Sequence, residues 1–284
     1  MMAKILQGAE VAKSLSQTIS SRVDELTALG VIPCLATVRV GEPDDAIAYE
    51  RSVTKSAEKL GVAVRNTVLP EEVSQQELLR QLEDLNMDPS VHGILLFSPL
   101  PRHINNRVAH DALSPAKDID GVTMLSHAGV YSGTNLGFAP CTPSACMAIL
   151  DFYGIDVAGK HAVVIGRSLV VGKPLAMMLL SRNATVTICH SKSTDLASIT
   201  RGADIVFACV GKKRMIDRQF LSEGQIVIDV GINVCEDGSI VGDVDFEAVC
   251  NSVVAITPVP GGVGTVTSRI LIERVVDAAT RTVH

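Results

Sequence analysis

Apolar runs of Val, Ile and Leu alternate with helix-period segments along most of this 284-residue chain, and that alternation limits the available folds more than any single residue does. In the first half, "CLATVRVG" precedes a helical segment reaching Leu60, "VAVRNTVLP" precedes "SQQELLRQLEDLN", and "HGILLFSPLP" precedes "NNRVAHDALSP". Continuous apolar strands of this kind are buried on both faces, as in a parallel sheet flanked by helices. Ser74 stands as the N-cap of the second of these helices. "PCTPSACMAILDFYGIDVAGK" then reads as a bridging helix, opened by Thr142 before Pro143 and ended near Gly154. The strand pattern resumes in "HAVVIG", "ATVTICH", "ADIVFACVG", "QIVIDVG" and "VVAITPVP". The prediction is a two-lobed α/β protein. An N-terminal three-layer α/β lobe covers residues 1–140, and a doubly wound, Rossmann-type nucleotide-binding lobe covers 141–266. A helix from Thr267 to about Ala279, in the segment 267–284, packs back onto the first lobe.

Composition excludes several classes of function. A net charge of -6 and a pI near 5.6 leave no basic footprint for nucleic acid. No apolar run approaches the ~18 residues that span a bilayer, and "MMAKILQGAE" lacks the apolar core of a secretory signal, so the expected location is the cytoplasm with no membrane partner. The seven cysteines show no CxxC pairing and read as reduced thiols, with no metal site expected. The seven histidines are dispersed, and no Ser/His/Asp or Cys/His spacing supports covalent catalysis.

Four stretches carry candidate chemistry. "VVIGRSLVVGKP" places Gly166 at a strand end and Gly172 six residues on, where a helix opens near Pro174. Such a turn lets backbone N–H groups approach a pyrophosphate, or it is a plain strand-to-helix turn. After the next strand come Cys189, His190, Ser191 and Lys192, with no carboxylate until Asp195. With Arg167 this corner offers two cations and a hydroxyl, which favours NADP over NAD; the alternative is a solvated turn. "SPAKDIDGV" sets Asp118 and Asp120 before Gly121, suited to a metal, to capping the next helix, or to an amino-substituted ring. "ITPVPGGVGT" is a rigid loop able to approach a ligand, or an interlobe turn.

A further helix, from Ala46 to Val62, opens near Tyr49. The helical neighbours of Tyr49 are Ser52, Val53, Ser56 and Ala57. Lys55 lies about 240° around the helix, and Lys59 is also off that face, so the face offers no amine.

Taken in order, "YERSVTK", "GILLFSPLP", "KDIDG", "PCTP", "GRSLVVGKP", "CHSK", "DVGIN", "GDVDF" and "TPVPGGVG" resemble the methylenetetrahydrofolate dehydrogenase/cyclohydrolase family. The resemblance covers nearly the whole chain. It implies a homodimer with a folate-binding lobe joined to a Rossmann lobe and a tetrahydrofolate derivative as substrate in the cleft. It implies that Tyr49 and Asp120 contact the pterin and are catalytic, that Phe97, Pro260, Gly261 and Gly262 line the substrate site, and that Gly166, Arg167, Ser168, Gly172, Ser191, Lys192 and Ile232 hold NADP, with Gly261 and Gly262 also near the cofactor.

Departures from the family pattern cluster around Tyr49. Ala46 stands where the family carries serine, Val53 where it carries the lysine credited with acid/base work, and Phe97 where it carries glutamine. In the last loop, Thr265 and Val266 replace a proline and a methionine. Hydride removal needs no such lysine, whereas hydrolysis of the resulting cation must move protons. The expected activity is therefore an NADP-dependent dehydrogenase with weak or absent cyclohydrolase activity. The alternatives are a bifunctional enzyme using Lys55 or Arg51 as substitute, a non-catalytic relative, and a dehydrogenase of another small molecule.

Overall fold

The computed structural model describes residues 2–283, with the side chain of Asp45 left aside. The chain opens with β1 (Lys4–Ile5) and α1 (Gly8–Ala28). Three strand–helix steps follow: β2 (Cys34–Val40), α2 (Asp44–Lys59), β3 (Ala63–Leu69), α3 (Gln75–Met87), β4 (Gly93–Leu96) and α4 (Asn106–Asp111). Next come α5 (Met124–Ser132), α6 (Cys141–Phe152), β5 (His161–Ile165), α7 (Gly172–Ser181), β6 (Thr185–Cys189), α8 (Leu196–Arg201), β7 (Ile205–Ala208) and β8 (Ile226–Asp229). The order ends with β9 (Asn233–Val234), β10 (Ile240–Val241), α9 (Phe246–Val249), β11 (Ala255–Ile256) and α10 (Val263–Thr280).

Two compact units result. One joins Ser14–Cys141 to Ser268–His284, and the other joins Met1–Lys13 to Thr142–Thr267. The first thirteen residues thus leave the lobe that their sequence position suggested. The cause is backbone pairing: β1 lies parallel to β11, with Lys4 opposite Ala255 and Ile5 opposite Ile256.

The unit built on Ser14–Cys141 holds a parallel sheet in the order β3-β2-β4. Every residue of β2 is buried, as a central strand covered on both faces must be. Side chains alternate across it. Ala36, Val38 and Val40 pack with Leu78 and Leu82 of α3 and with Ile94 and Leu96. The opposite face carries Thr37 and Arg39, which hydrogen-bond Glu50 of α2. That helix buries Glu50, Val53 and Ala57, the i, i+3, i+7 stripe of an amphipathic helix, which its C-cap residue Leu60 continues. The Ser74 hydroxyl caps α3 by accepting the Glu77 N–H at 3.1 Å.

The second unit is a six-stranded parallel sheet in the order β1-β11-β8-β7-β5-β6. The five strands read from the sequence run 2-1-3-4-5, a doubly wound order whose switch point lies between β5 and β7. Val163, Ile165, Val206, Ala208, Val227 and Ile256 form its core. An antiparallel pair, β9 and β10, stands apart from it. Among the described residues no helix is long and apolar enough to cross a membrane.

Candidate functional site

Chemistry gathers in both units. In the doubly wound sheet, the carboxyl ends of β5 and β7 border a cavity of about 560 Å³. Ligands of open α/β sheets settle outside this edge, where the strand order reverses. Gly166, Arg167, Ser168 and Ser191 line it, together with His190, Ser193, Cys209, Val210, Lys212 and Phe220. Gly166 has φ +143°, and a Cβ there would stand 2.3 Å from the Cys209 carbonyl oxygen. Gly172 begins α7 so close to the turn that a Cβ on it would meet the Gly166 oxygen at 2.2 Å. The Ser168 hydroxyl accepts the Val171 N–H at 3.0 Å and tightens the same turn. Cavity, glycine cradle, helix start and two cations together fit a dinucleotide.

The structure places the other expected cofactor residues outside that wall. Lys192 is exposed, its backbone N–H donating to His190 Nδ1 at 3.2 Å. Ile232 is 62% exposed and abuts Gly264. Gly262 is buried, Pro260 is exposed, and the Gly261 carbonyl accepts the Gly8 N–H at 2.8 Å. Lys212 was missed because its segment carries no motif. Position after the third strand of a doubly wound sheet was the available signal.

Asp243 holds that segment. Its carboxylate accepts the backbone N–H groups of Val210 at 2.6 Å, Gly211 at 2.9 Å and Lys212 at 2.9 Å. Buried Asp229 accepts the Asp243 N–H at 3.0 Å, and burial pushes its carboxyl up to about 6.

In the other unit, Arg39, Val40, Pro43, Ala46, Tyr49, Phe97, Ser98 and Pro99 enclose a pocket of about 200 Å³. Tyr49 is 41% exposed and meets Phe97 edge to face, ring centres 6.0 Å apart. Desolvation raises the phenol's pKa, with further upward pushes from Asp120 and Cys141, so the hydroxyl keeps its proton. Val53 is 1% exposed, in the core beneath the helix. Helix α2 runs unbroken, and Lys55 and Arg51 are exposed on it. The pocket wall contains no lysine among the described residues.

The two aspartates part company. Asp118 accepts the N–H groups of Val122 at 3.0 Å and Thr123 at 2.9 Å and the Ser126 hydroxyl at 2.6 Å, so it braces the turn into α5, while the cap of that helix is the Thr123 hydroxyl, which accepts the Ser126 N–H at 3.1 Å. Asp120 sits against the Cys141 thiol. Burial, and then the charge of Asp118, push its carboxyl up to about 7, while the hydrogen bond with Cys141 pulls it down. Ser98 adds a polar pair, its hydroxyl 2.9 Å from His110 Nε2.

Fold and cavity define a dinucleotide-binding α/β protein, with an aromatic-walled pocket in a unit of its own. Residues 6–120 match the catalytic domain, and residues 140–283 the NAD(P)-binding domain, of tetrahydrofolate dehydrogenase/cyclohydrolase. The chain belongs to the tetrahydrofolate dehydrogenase/cyclohydrolase family. The bifunctional protein FolD of Clostridium botulinum is 48% identical over 280 residues, 99% of each chain. The crystal structure of the bifunctional enzyme FolD from Campylobacter jejuni matches with a TM-score of 0.97 at 40% identity, over 99% of both chains. That of the Trypanosoma brucei dehydrogenase-cyclohydrolase, complexed with NADP cofactor and inhibitor, matches with a TM-score of 0.93 at 33% identity, over 100% of this chain and 99% of that one.

Proposed function

We propose that this chain oxidises 5,10-methylenetetrahydrofolate to the 5,10-methenyl compound with NADP, and that its cyclohydrolase activity is weak or absent. The observation that carries the second half is the wall of the Tyr49 pocket, which offers Tyr49, Phe97, Ser98 and Arg39 but no lysine among the described residues. Family membership supports the first half. Arg167 and Lys212 supply positive charge for a 2′-phosphate, and Gly166, Ser168, Gly172 and Ser191 supply the cradle. Lys192, Ile232 and the Pro260–Gly262 loop keep the ligand roles the resemblance gives them. Homodimerisation completes the reading, on that resemblance alone.

Bound NADP supplies the hydride acceptor. The carbon to be oxidised lies between two folate nitrogens that delocalise the cation left behind, so the chain's task is to hold the folate in register. Tyr49 presents a protonated phenol against the pterin, and Asp120, whose carboxyl loses its proton at about pH 7, accepts hydrogen bonds from pterin N–H groups in its ionised form. Hydrolysis asks more, because water must be added and protons moved as the ring opens.

A second reading has one observation in its favour: the Clostridium botulinum relative is called bifunctional. Under it, Ser98 and His110 stand in for the lysine, since burial lowers the His110 pKa and leaves a neutral imidazole able to take a proton. Methenyltetrahydrofolate decay, followed with and without enzyme, separates the readings. Decay at the buffer rate, alongside NADPH formation from the methylene compound, is the expected result. Enzyme-dependent decay well above that rate overturns the loss of cyclohydrolase activity, and its disappearance in His110→Asn or Lys55→Ala identifies the substitute.

A further inference from the structure

Charged side chains are rarely buried without a purpose or a partner, and β2 buries one at the edge of the Tyr49 pocket. Arg39 is 7% exposed and is the one charged residue of the buried run "CLATVRV". Its Nε donates to Glu50 Oε2 at 3.0 Å, and its Nη1 donates to the Gly41 carbonyl. The other carboxylate oxygen of Glu50 accepts the Thr37 hydroxyl at 2.7 Å. The guanidinium is therefore clamped in one orientation by a helix, a strand and a turn.

Its remaining nitrogen, Nη2, has no partner among the described residues, and it is absent from the sealed polar atoms that lack one. It therefore borders free space, and Arg39 is part of the pocket wall with Tyr49 and Phe97. A guanidinium only donates. Because Glu50 already balances its charge, the fitting ligand group is an uncharged oxygen rather than an anion.

We infer that Arg39, oriented by Glu50, donates a hydrogen bond from Nη2 to a carbonyl oxygen of the bound folate and so fixes the ligand against Tyr49. The inference rests on the reading of this pocket as the folate site. Its structural rival is a clamp that joins α2 to β2 and touches no ligand.

Replacing a buried ion pair by apolar residues of similar bulk is often neutral, whereas removing one partner strands the other. The decisive variant is therefore the double change Arg39→Leu with Glu50→Val. The expected result is a folded protein whose KM for methylenetetrahydrofolate rises about tenfold or more, with KM for NADP unchanged. Arg39→Lys, which keeps the charge and loses the fork, shifts the same constant in the same direction and serves if the double variant does not fold. Wild-type folate KM in whichever folded variant is measured overturns the inference.

Titration with tetrahydrofolate reads the same contact without turnover. A wild-type protein that binds folate but forms no NADPH overturns the proposed function, while weaker binding by the variant still upholds the role of Arg39. Wild-type protein that binds no folate overturns both. Competition by p-aminobenzoylglutamate and by a tetrahydropterin shows which carbonyl is held: the fragment whose inhibition weakens in the variant carries it, and equal inhibition of both proteins by both fragments counts against the contact.

Discussion

Asp120 holds a proton that the unfolded chain would release. Its folded pKa of about 7 lies above the ~3.9 of an unperturbed aspartate, so the native state binds more protons between those two values. By linkage, this residue's contribution to stability is greatest below about pH 4, falls as pH rises toward 7, and is level above it. The melting temperature of Asp120→Asn is therefore expected to gain on that of the wild type between pH 5 and pH 8. In the wild type, KM for the folate should fall from pH 6 to pH 8 as the acceptor carboxylate forms, and the Asn variant should lose that dependence.

In the sequence Asp118 and Asp120 were interchangeable. Asp118 bridges Ile94 and turns to the Val122–Thr123 backbone ahead of α5, and no local pattern encodes that register. The pair Arg39 and Glu50 was legible and went unread. An arginine inside an apolar strand, and a glutamate three residues before Val53 on a buried stripe, each announce a buried partner.

The start of α7 depends on the absence of one methyl group. Gly172→Ala would drive a Cβ to 2.2 Å from the Gly166 oxygen, and the turn must move to admit it. Overpacking of this kind costs about 1 to 3 kcal/mol, so a lower urea midpoint and weaker NADP binding are expected together. Loss of stability with NADP affinity intact would separate the cradle from the ligand.

The apolar runs of β5, β7 and β8 were readable because strands inside a parallel sheet are covered on both faces, whereas the edge strand β6 is only partly buried. The two-residue strands β1, β9 and β10 carry no period to read. Helix α10 begins at Val263, four residues before the expected Thr267, because Val263 and Val266 are buried and extend its stripe into what read as a glycine loop. Helix α6 likewise starts at Cys141, one residue before Thr142.

For the molecule as a whole, ligand binding is a stability measurement. A ligand at a hundred times its Kd adds about 2.7 kcal/mol to the folded state. NADP should therefore raise the melting temperature more than an equal concentration of NAD, and Arg167→Ala should narrow the gap. Equal shifts by both cofactors in the wild type would deny Arg167 and Lys212 their part in the choice. The two-unit plan was visible in the alternation of runs and helices, yet the ownership of the first thirteen residues was not, because Lys4 finds its neighbour at Ala255, far along the chain.

That distant pairing bears on how the polypeptide is made. A ribosome delivers the chain from its amino end, and the earliest domain ordinarily folds while the rest is still being synthesised. Here neither unit is one contiguous stretch: the edge strand made first waits for β11, and the sheet made early waits for the helix residues beyond Ser268. Completion of both units is therefore deferred until translation has passed those late segments. Over that interval β1 and the apolar face awaiting α10 are open to chaperones, and a stalled or truncated translation product would carry two unfinished folds.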